Sequence, residues 1–162
     1  MGALESVKTL VRPSLGLLLQ RKHERAGQIR SEHQVGKWLT FLAGLPSTRS
    51  VVEIGTWSGA GGSALLAKAI HGRALADASV IGLEIDSRMV SVSKARLKRW
   101  PLYKVVSGTI VDIEGLDSRD LTAAEGPWFE QDKIKIGQAP NVLHALPEAI
   151  DLCLLDGGEF SS

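Results

Sequence analysis

Residues 51–61, which read VVEIGTWSGAG, constrain the fold of this chain more than any other stretch. A short β-branched run ends in a turn with three glycines, and residues 63–70 follow the turn with the apolar spacing of a helix. Glycine has no side chain, so it lets the backbone bend sharply and approach a neighbouring group closely. The pattern predicts a strand over residues 50–54, a tight turn, and a helix that ends at Gly72.

The same alternation continues along the chain. It predicts strands at residues 79–84, 103–106 and 149–155, a helix at residues 88–100 closed by Pro101, and a further helix near residues 141–146. Strands that alternate with helices are joined by crossovers, which produce a parallel sheet with helices on its faces. The predicted class is therefore α/β, a doubly wound Rossmann-like sheet of about four strands with helices on both faces.

The sequence also indicates where the sheet domain begins and which residues form two amphipathic helices. Residues 1–33 are expected to form an N-terminal helical extension, and residues 34–162 form the sheet domain. Ser31 with Gln34 three positions later matches a capping box, which would open a helix that ends near Gly44. The apolar residues of that helix are Val35, Trp38, Leu39, Phe41 and Leu42. In the helix at 88–100 the apolar stripe comprises Met89, Val90, Val92, Leu97 and Trp100, with Ser93 and Arg96 as exceptions.

The composition favours a globular protein without an unusual partner. At 44% hydrophobic and 23% charged residues, the chain is far from the composition of disordered proteins. A net charge of +1 gives no indication of nucleic-acid binding. Cys153 is the only cysteine, and its apolar neighbours predict a buried side chain. No apolar run is long enough for a membrane span or a secretory core, so we expect a cytoplasmic protein without stable membrane association.

Acidic residues end the first two predicted strands. Glu53 lies at the tip of the first strand, beside the glycine turn, and Glu84 lies at the tip of the second. The carboxyl ends of parallel strands meet at one edge of a sheet, where ligands of this fold bind. A carboxylate in the position of Glu84 can accept hydrogen bonds from both hydroxyls of a ribose. Asp86, two residues later, is expected to cap the following helix.

With these residues, the chain resembles the class I S-adenosylmethionine-dependent methyltransferases, and among them the small-molecule O-methyltransferases. The segment EIGTWSG at 53–59 is similar to the first motif of that family, and VIGLEID at 80–86 is similar to its second. The resemblance covers residues 34–162. It implies that S-adenosylmethionine is the cofactor, with Glu53, Gly55 and Gly59 around its methionine portion, Thr56, Trp57 and Ser58 along the turn beside it, and Glu84 on its ribose.

The resemblance extends to two later positions. The family often has Gly-Asp after the third strand, near the adenine, whereas this chain has Gly108 and Thr109, which makes the Thr109 hydroxyl a candidate for that contact. Asp156 matches an aspartate beside the transferring methyl group, which binds magnesium in the metal-dependent members. Carboxylate oxygens suit Mg²⁺, so Asp156 is both a candidate catalytic residue and a candidate metal ligand. An aspartate before two glycines is also an ordinary turn.

The predicted function is therefore O-methylation of a small hydroxylated molecule or a sugar. One alternative is an NAD(P)-dependent oxidoreductase, because the glycine spacing also fits short-chain dehydrogenases. Those enzymes need a tyrosine with a lysine four residues later, and Tyr103 is followed there by Ser107. The other alternative is a non-catalytic cofactor-binding fragment. The family's sheet has seven strands and four are predicted here, so truncation at the C-terminus and an unpaired edge on the fourth strand are expected.

Overall fold

The computed structural model describes residues 29–73, 77–115 and 126–156, in which helices and strands alternate. The order is α1 (Gln34–Gly44), β1 (Ser50–Ile54), α2 (Gly62–His71), β2 (Ser79–Glu84), α3 (Ser87–Leu97), β3 (Tyr103–Ser107), α4 (Gly126–Gln138) and β4 (Leu152–Leu155). Single turns of 3₁₀ helix lie at Ile113–Gly115 and Leu143–Ala145. Most of the expected N-terminal extension, residues 1–28, lies outside the described residues. None of the helices in the described ranges is both long and apolar enough to cross a membrane.

The four strands form one parallel sheet in the order β3-β2-β1-β4. The chain moves outward from β1 to β2 and β3, and then returns to the other side of β1. Right-handed crossovers in opposite directions place their helices on opposite faces of the sheet. This topology confirms the predicted α/β, doubly wound, Rossmann-like class. The reversal of direction between β1 and β4 opens a crevice at the carboxyl ends of these strands.

The predicted strands agree closely with the observed ones, apart from the fourth. β1 and β2 have the predicted bounds and β3 is longer by one residue, because their β-branched runs pack into the core, where Val51 and Val80 are fully buried. β4 starts at Leu152, three residues later than predicted. The Asp151 carboxylate accepts hydrogen bonds from the backbone N–H groups of Arg49 and Ser50, so residue 151 belongs to the entry of the strand.

The predictions for the two amphipathic helices need correction. The capping box is wrong, because His33 is the N-cap residue, makes no side-chain cap bond, and Ser31 donates to Glu32 instead. α1 packs against the rest of the domain through Gly36, Leu39 and Ala43, which are its buried residues. Of the five apolar residues predicted for its buried face, only Leu39 is buried, and the exposed ones are Val35, Trp38, Phe41 and Leu42. α3 ends at Leu97, three residues early, with Ser93 buried and Val92 partly exposed.

The stretch between β3 and β4 also differs from the prediction. The helix expected near residues 141–146 is only a 3₁₀ turn, and the real helix, α4, precedes it. The chain around residue 141 pairs with the loop after β3: the Thr109 N–H donates to the Pro140 carbonyl, and the Val142 N–H donates to the Thr109 carbonyl. This strand-like pairing uses backbone groups that a helix would need. Cys153 is exposed on β4 and not buried, because β4 lies at an edge of the sheet.

Candidate functional site

The glycine turn lies at the carboxyl ends of β1 and β2, as predicted. Gly55, Gly59 and Gly61 have φ angles of 89°, 69° and 63°, in the left-handed region that glycine adopts without strain. Trp57 also has a positive φ, 47°, which is uncommon for a residue with a bulky side chain. The N–H groups of Gly55 and Thr56 both donate to the Leu83 carbonyl, at 3.0 and 3.1 Å. The turn is thereby attached to the end of β2, next to Glu84.

Glu84 connects this turn to the start of α3. One carboxylate oxygen, Oε2, accepts the Trp57 N–H at 2.6 Å, and the other, Oε1, accepts the Asp86 N–H at 2.9 Å. The side chain is buried, which raises the pKa of Glu84 above its ordinary value. A carboxylate has about four acceptor positions, and the N–H groups of Trp57, Asp86 and Ile85 are donors to it within the chain, so part of its acceptor capacity is left for a ligand hydroxyl. Asp86 caps α3 by accepting from the Arg88 and Met89 N–H groups, which confirms its predicted role.

Glu53 is buried between three strands and has polar partners of its own. Its Oε1 accepts the Ser63 hydroxyl at 3.0 Å, and its Oε2 accepts the hydroxyl of Tyr103, which comes from β3. β2 lies between β1 and β3, and Gly82 is the β2 residue opposite Glu53. A Cβ at position 82 would overlap the Tyr103 hydroxyl and the Thr56 methyl group. Gly82 therefore leaves the space through which Tyr103 reaches Glu53.

Burial changes the protonation of Glu53. The pKa of Glu53 is raised to about 8, chiefly by burial and also by the neighbouring carboxyls of Asp156 and Glu84, against the hydrogen bonds from Tyr103 and Ser63, which lower it. Burial and the nearby Glu53 also raise the pKa of Tyr103. At neutral pH the Glu53 carboxyl therefore holds a proton in the folded state. The three acids lie at the carboxyl ends of the adjacent strands β2, β1 and β4, which is why Asp156 and Glu84 affect the pKa of Glu53.

The remaining turn residues differ in exposure. The side chains of Thr56 and Ser58 are buried, whereas the Trp57 side chain is 48% exposed. The Thr56 hydroxyl oxygen has no hydrogen-bond partner among the described residues. The Ser58 hydroxyl and carbonyl oxygens both accept from the Arg96 guanidinium, which comes from α3. The exposed surface of the turn at these positions thus consists mainly of backbone and the Trp57 ring.

A cavity of about 200 Å³ lies next to Glu84, at the ends of β2 and β3. It is lined by Ile85, Asp86, Ser87, Ser107, Lys135, Gln138, Ala139 and Pro140. Lys135 of α4 forms an ion pair with Asp86, 3.6 Å between Nζ and Oδ2, beside this cavity. The Thr109 hydroxyl oxygen accepts the Val111 N–H at 2.9 Å, within its own loop, and Thr109 is not part of the lining. The lining residues from α4 were missed by the sequence analysis, because α4 itself was not predicted.

Asp156 directly follows β4, across the crevice from Glu84. Its N–H donates to the Ile54 carbonyl at 2.8 Å, which continues the pairing of β4 with β1. Its side chain is exposed, and partial desolvation raises the pKa of Asp156. In the ranges that the structure covers, no group of three or more His, Cys, Asp or Glu side chains could hold a metal ion. A magnesium site at Asp156 therefore stays a prediction.

The sheet order, the glycine turn and Glu84 define an α/β protein of the Rossmann-like class with a ligand crevice at its switch point. No protein-family model and no curated protein matches the chain. Similar solved structures include the O-methyltransferase from Bacillus cereus in complex with SAH, at 20% identity and a TM-score of 0.45 over 79% of this chain and 64% of that chain. TomG, an O-methyltransferase from Streptomyces achromogenes in complex with SAM, has 20% identity and a TM-score of 0.43 over 79% and 63%.

A third similar structure is cofactor-bound Rv0187 from MTB, with 25% identity and a TM-score of 0.43 over 79% of this chain and 63% of that chain. The chain thus spans less than two thirds of the length of each of these three proteins. The likeness concerns the fold alone.

Proposed function

We propose that this chain is the cofactor-binding part of an S-adenosylmethionine-dependent methyltransferase. The observation that carries the proposal is the position of Glu84, a buried carboxylate that is bonded to both the glycine turn and the start of α3. Its remaining acceptor capacity suits a ribose hydroxyl. A carboxylate held in this way at the carboxyl end of a parallel strand is well placed to bind a ligand, because ligands of this fold bind at that edge of the sheet.

The neighbouring features fit the other parts of this cofactor. The cavity beside Ile85 and Ser107 would take the adenine. The backbone of the glycine turn, which precedes the N-terminus of α2, would take the methionine portion, because N–H groups at a helix start attract a carboxylate. When bound, S-adenosylmethionine supplies a methyl group already activated on a sulfonium. The chain's own residues are left to orient the cofactor and the acceptor, and orientation alone can supply about 7–11 kcal/mol in well-aligned systems.

The acceptor in this proposal is a small hydroxylated molecule or a sugar, and Asp156 acts on its hydroxyl. The Asp156 carboxylate is exposed, so it would receive the hydroxyl proton when the acceptor oxygen takes the methyl group from sulfur and S-adenosylhomocysteine is left as the leaving group. The raised pKa of Asp156 makes it a better base than an ordinary aspartate. A magnesium ion at this place would take Asp156 as its ligand from the described residues.

Tyr103 argues against the oxidoreductase alternative. Its hydroxyl is buried and donates to Glu53, so it has no access to a substrate in the crevice. The absence of a lysine four residues later points the same way.

Isothermal titration calorimetry with S-adenosylhomocysteine and with NAD tests the proposal. We expect the first ligand to bind and the second not to bind. Glu84→Ala should weaken S-adenosylhomocysteine binding by about tenfold or more, because it removes charge-assisted hydrogen bonds. Glu130→Ala, which removes an exposed acid on α4, is the matched control and should bind as the unmodified chain does. No binding by the unmodified chain, or equal affinity in Glu84→Ala, would overturn the proposal.

A further inference from the structure

Two residues that interrupt the apolar stripe of α3 face the glycine turn. Ser93 is fully buried, and Arg96 is partly buried. The Arg96 NH1 group donates to the Ser58 carbonyl at 2.8 Å and to the Ser58 hydroxyl at 2.7 Å. Hydrogen bonds from a charged donor are stronger than neutral ones, so this pair of contacts holds Ser58 firmly to α3.

The packing beneath the turn has the same effect. A Cβ at Gly59 would lie 3.0 Å from the Ser93 Cα and 3.1 Å from the Ser93 Cβ, so the turn backbone lies directly on α3 at this point. A larger residue at position 93 would push the turn away. Ser93 and Arg96, one turn of helix apart, therefore contact consecutive residues of the turn, Gly59 and Ser58.

Trp57 is held between two attachments. Its N–H donates to Glu84, and the next residue, Ser58, is bonded to Arg96. Trp57 keeps a left-handed backbone conformation that a bulky residue adopts only when its surroundings enforce it. If Ser58 were released, the peptide could relax and the Trp57 N–H would leave Glu84. The Glu84 carboxylate would then lose one of the two bonds that orient it.

We propose that Arg96 is a positioning residue for cofactor binding, acting through Ser58 and Trp57 on the orientation of Glu84. This inference rests on the proposed function and deepens it. The effect of Arg96 on affinity passes entirely through Glu84, and this requirement makes the inference testable.

The first test measures S-adenosylhomocysteine affinity by calorimetry in a double-mutant cycle. Arg96→Met keeps the length of the side chain and removes the donors, and we expect about tenfold weaker binding. Lys94→Met, on the exposed side of α3, is the matched control and should leave affinity unchanged. In a Glu84→Ala background, Arg96→Met should cause no further loss, because the residue through which it acts is gone. If the losses of affinity from Arg96→Met and Glu84→Ala add in the double variant, Arg96 has a merely structural role and the inference is overturned. Full affinity in Arg96→Met alone also overturns it.

The second test needs no ligand. Hydrogen exchange of the Trp57 backbone amide, measured by NMR, should be about tenfold faster in Arg96→Met than in Lys94→Met, while the amides of β1 and β2 keep their protection. Arg96→Lys, which keeps the charge, should recover part of the protection and also covers the case in which Arg96→Met fails to fold. Equal Trp57 protection in all three variants overturns the inference. The unmodified chain could fail to bind S-adenosylhomocysteine while the Trp57 amide exchange changes as expected. That result overturns the proposed function and leaves the attachment through Arg96 established.

Discussion

Replacing Glu53 by glutamine should remove a large pH dependence from the stability of this protein. Burial raises the pKa of Glu53 from 4.5 to about 8. The unfolded chain therefore loses this proton near its ordinary pKa, whereas the folded chain keeps it up to about pH 8. Between these values the folded state binds more protons than the unfolded state, so the free energy of unfolding falls as the pH rises. The stabilisation that the protonated Glu53 contributes is complete at low pH, and it is lost as the pH rises through the pKa of Glu53 in the folded state.

The size of this effect follows from the two pKa values. Each tenfold change in proton affinity corresponds to about 1.36 kcal/mol, so the interval from 4.5 to about 8 corresponds to a loss of up to about 5 kcal/mol. That is comparable to the whole stability of many domains, about 5–15 kcal/mol. Glutamine has a similar shape and stays neutral, and the Tyr103 and Ser63 hydroxyls can rotate to pair with its amide. We expect Glu53→Gln to match the unmodified protein at about pH 5 and to exceed its stability by several kcal/mol at about pH 8.5.

Urea unfolding followed by circular dichroism, at a series of pH values, measures this difference. The pKa values of Glu84 and Asp156 are raised too, but both residues are present in both proteins, so subtracting the two curves leaves the effect of Glu53 together with its coupling to these two acids. Glu130→Gln, at an exposed position of α4, is the control and should keep the slope of the unmodified protein. If Glu53→Gln and the unmodified protein lose stability in parallel between about pH 5 and pH 8.5, Glu53 is not protonated in the folded state and the reasoning fails.

Two further predictions concern the neighbours of Glu53. Gly82→Ala should destabilise the protein by about 1–3 kcal/mol, because the added methyl group overlaps the Tyr103 hydroxyl, whereas Gly44→Ala, with open space around it at the end of α1, should cost nothing or stabilise slightly. Equal urea midpoints for these two variants would contradict the close packing at position 82. Tyr103→Phe should lower the free energy of unfolding by about 1–3 kcal/mol in the same assay. The hydrogen bond from Tyr103 lowers the pKa of Glu53, so its removal raises this pKa and moves the fall in stability to higher pH. If the stability of Tyr103→Phe falls at the same pH as that of the unmodified protein, the Tyr103 hydroxyl does not act on Glu53.

The region from β1 to α3 could be predicted because its elements have strong local patterns. β-branched runs formed β1 and β2, the glycines formed the turn, and Asp86 capped α3. By contrast, α4 contains a glycine and a proline in its first turn and has no clear apolar stripe, so its sequence resembled a loop. The pairing of Thr109 with residues 140–142 is a contact between distant parts of the chain that no local pattern encodes.

The candidate site was predicted in its location but not in its internal contacts. Glu84 and the glycine turn could be placed together because both follow parallel strands. The partnership of Glu53 with Tyr103, fifty residues apart, depends on the register of three strands. Gly82 lies within β2 between apolar residues, and the local sequence does not reveal which side chains meet beside it. Arg96 was visible as a charge in an apolar stripe, but the residue that it contacts could not be inferred without the structure.

The space above Gly82 makes three positions interdependent during sequence divergence. Any side chain at position 82 displaces Tyr103, and without Tyr103 the buried carboxyl of Glu53 loses a hydrogen-bond donor. A related protein that has alanine or valine at position 82 should therefore also have replaced the tyrosine at 103, and should have a neutral residue or a new donor near position 53. Substitutions in this part of the sheet are expected to occur as compensated sets, and anyone who redesigns the protein must change the three positions together.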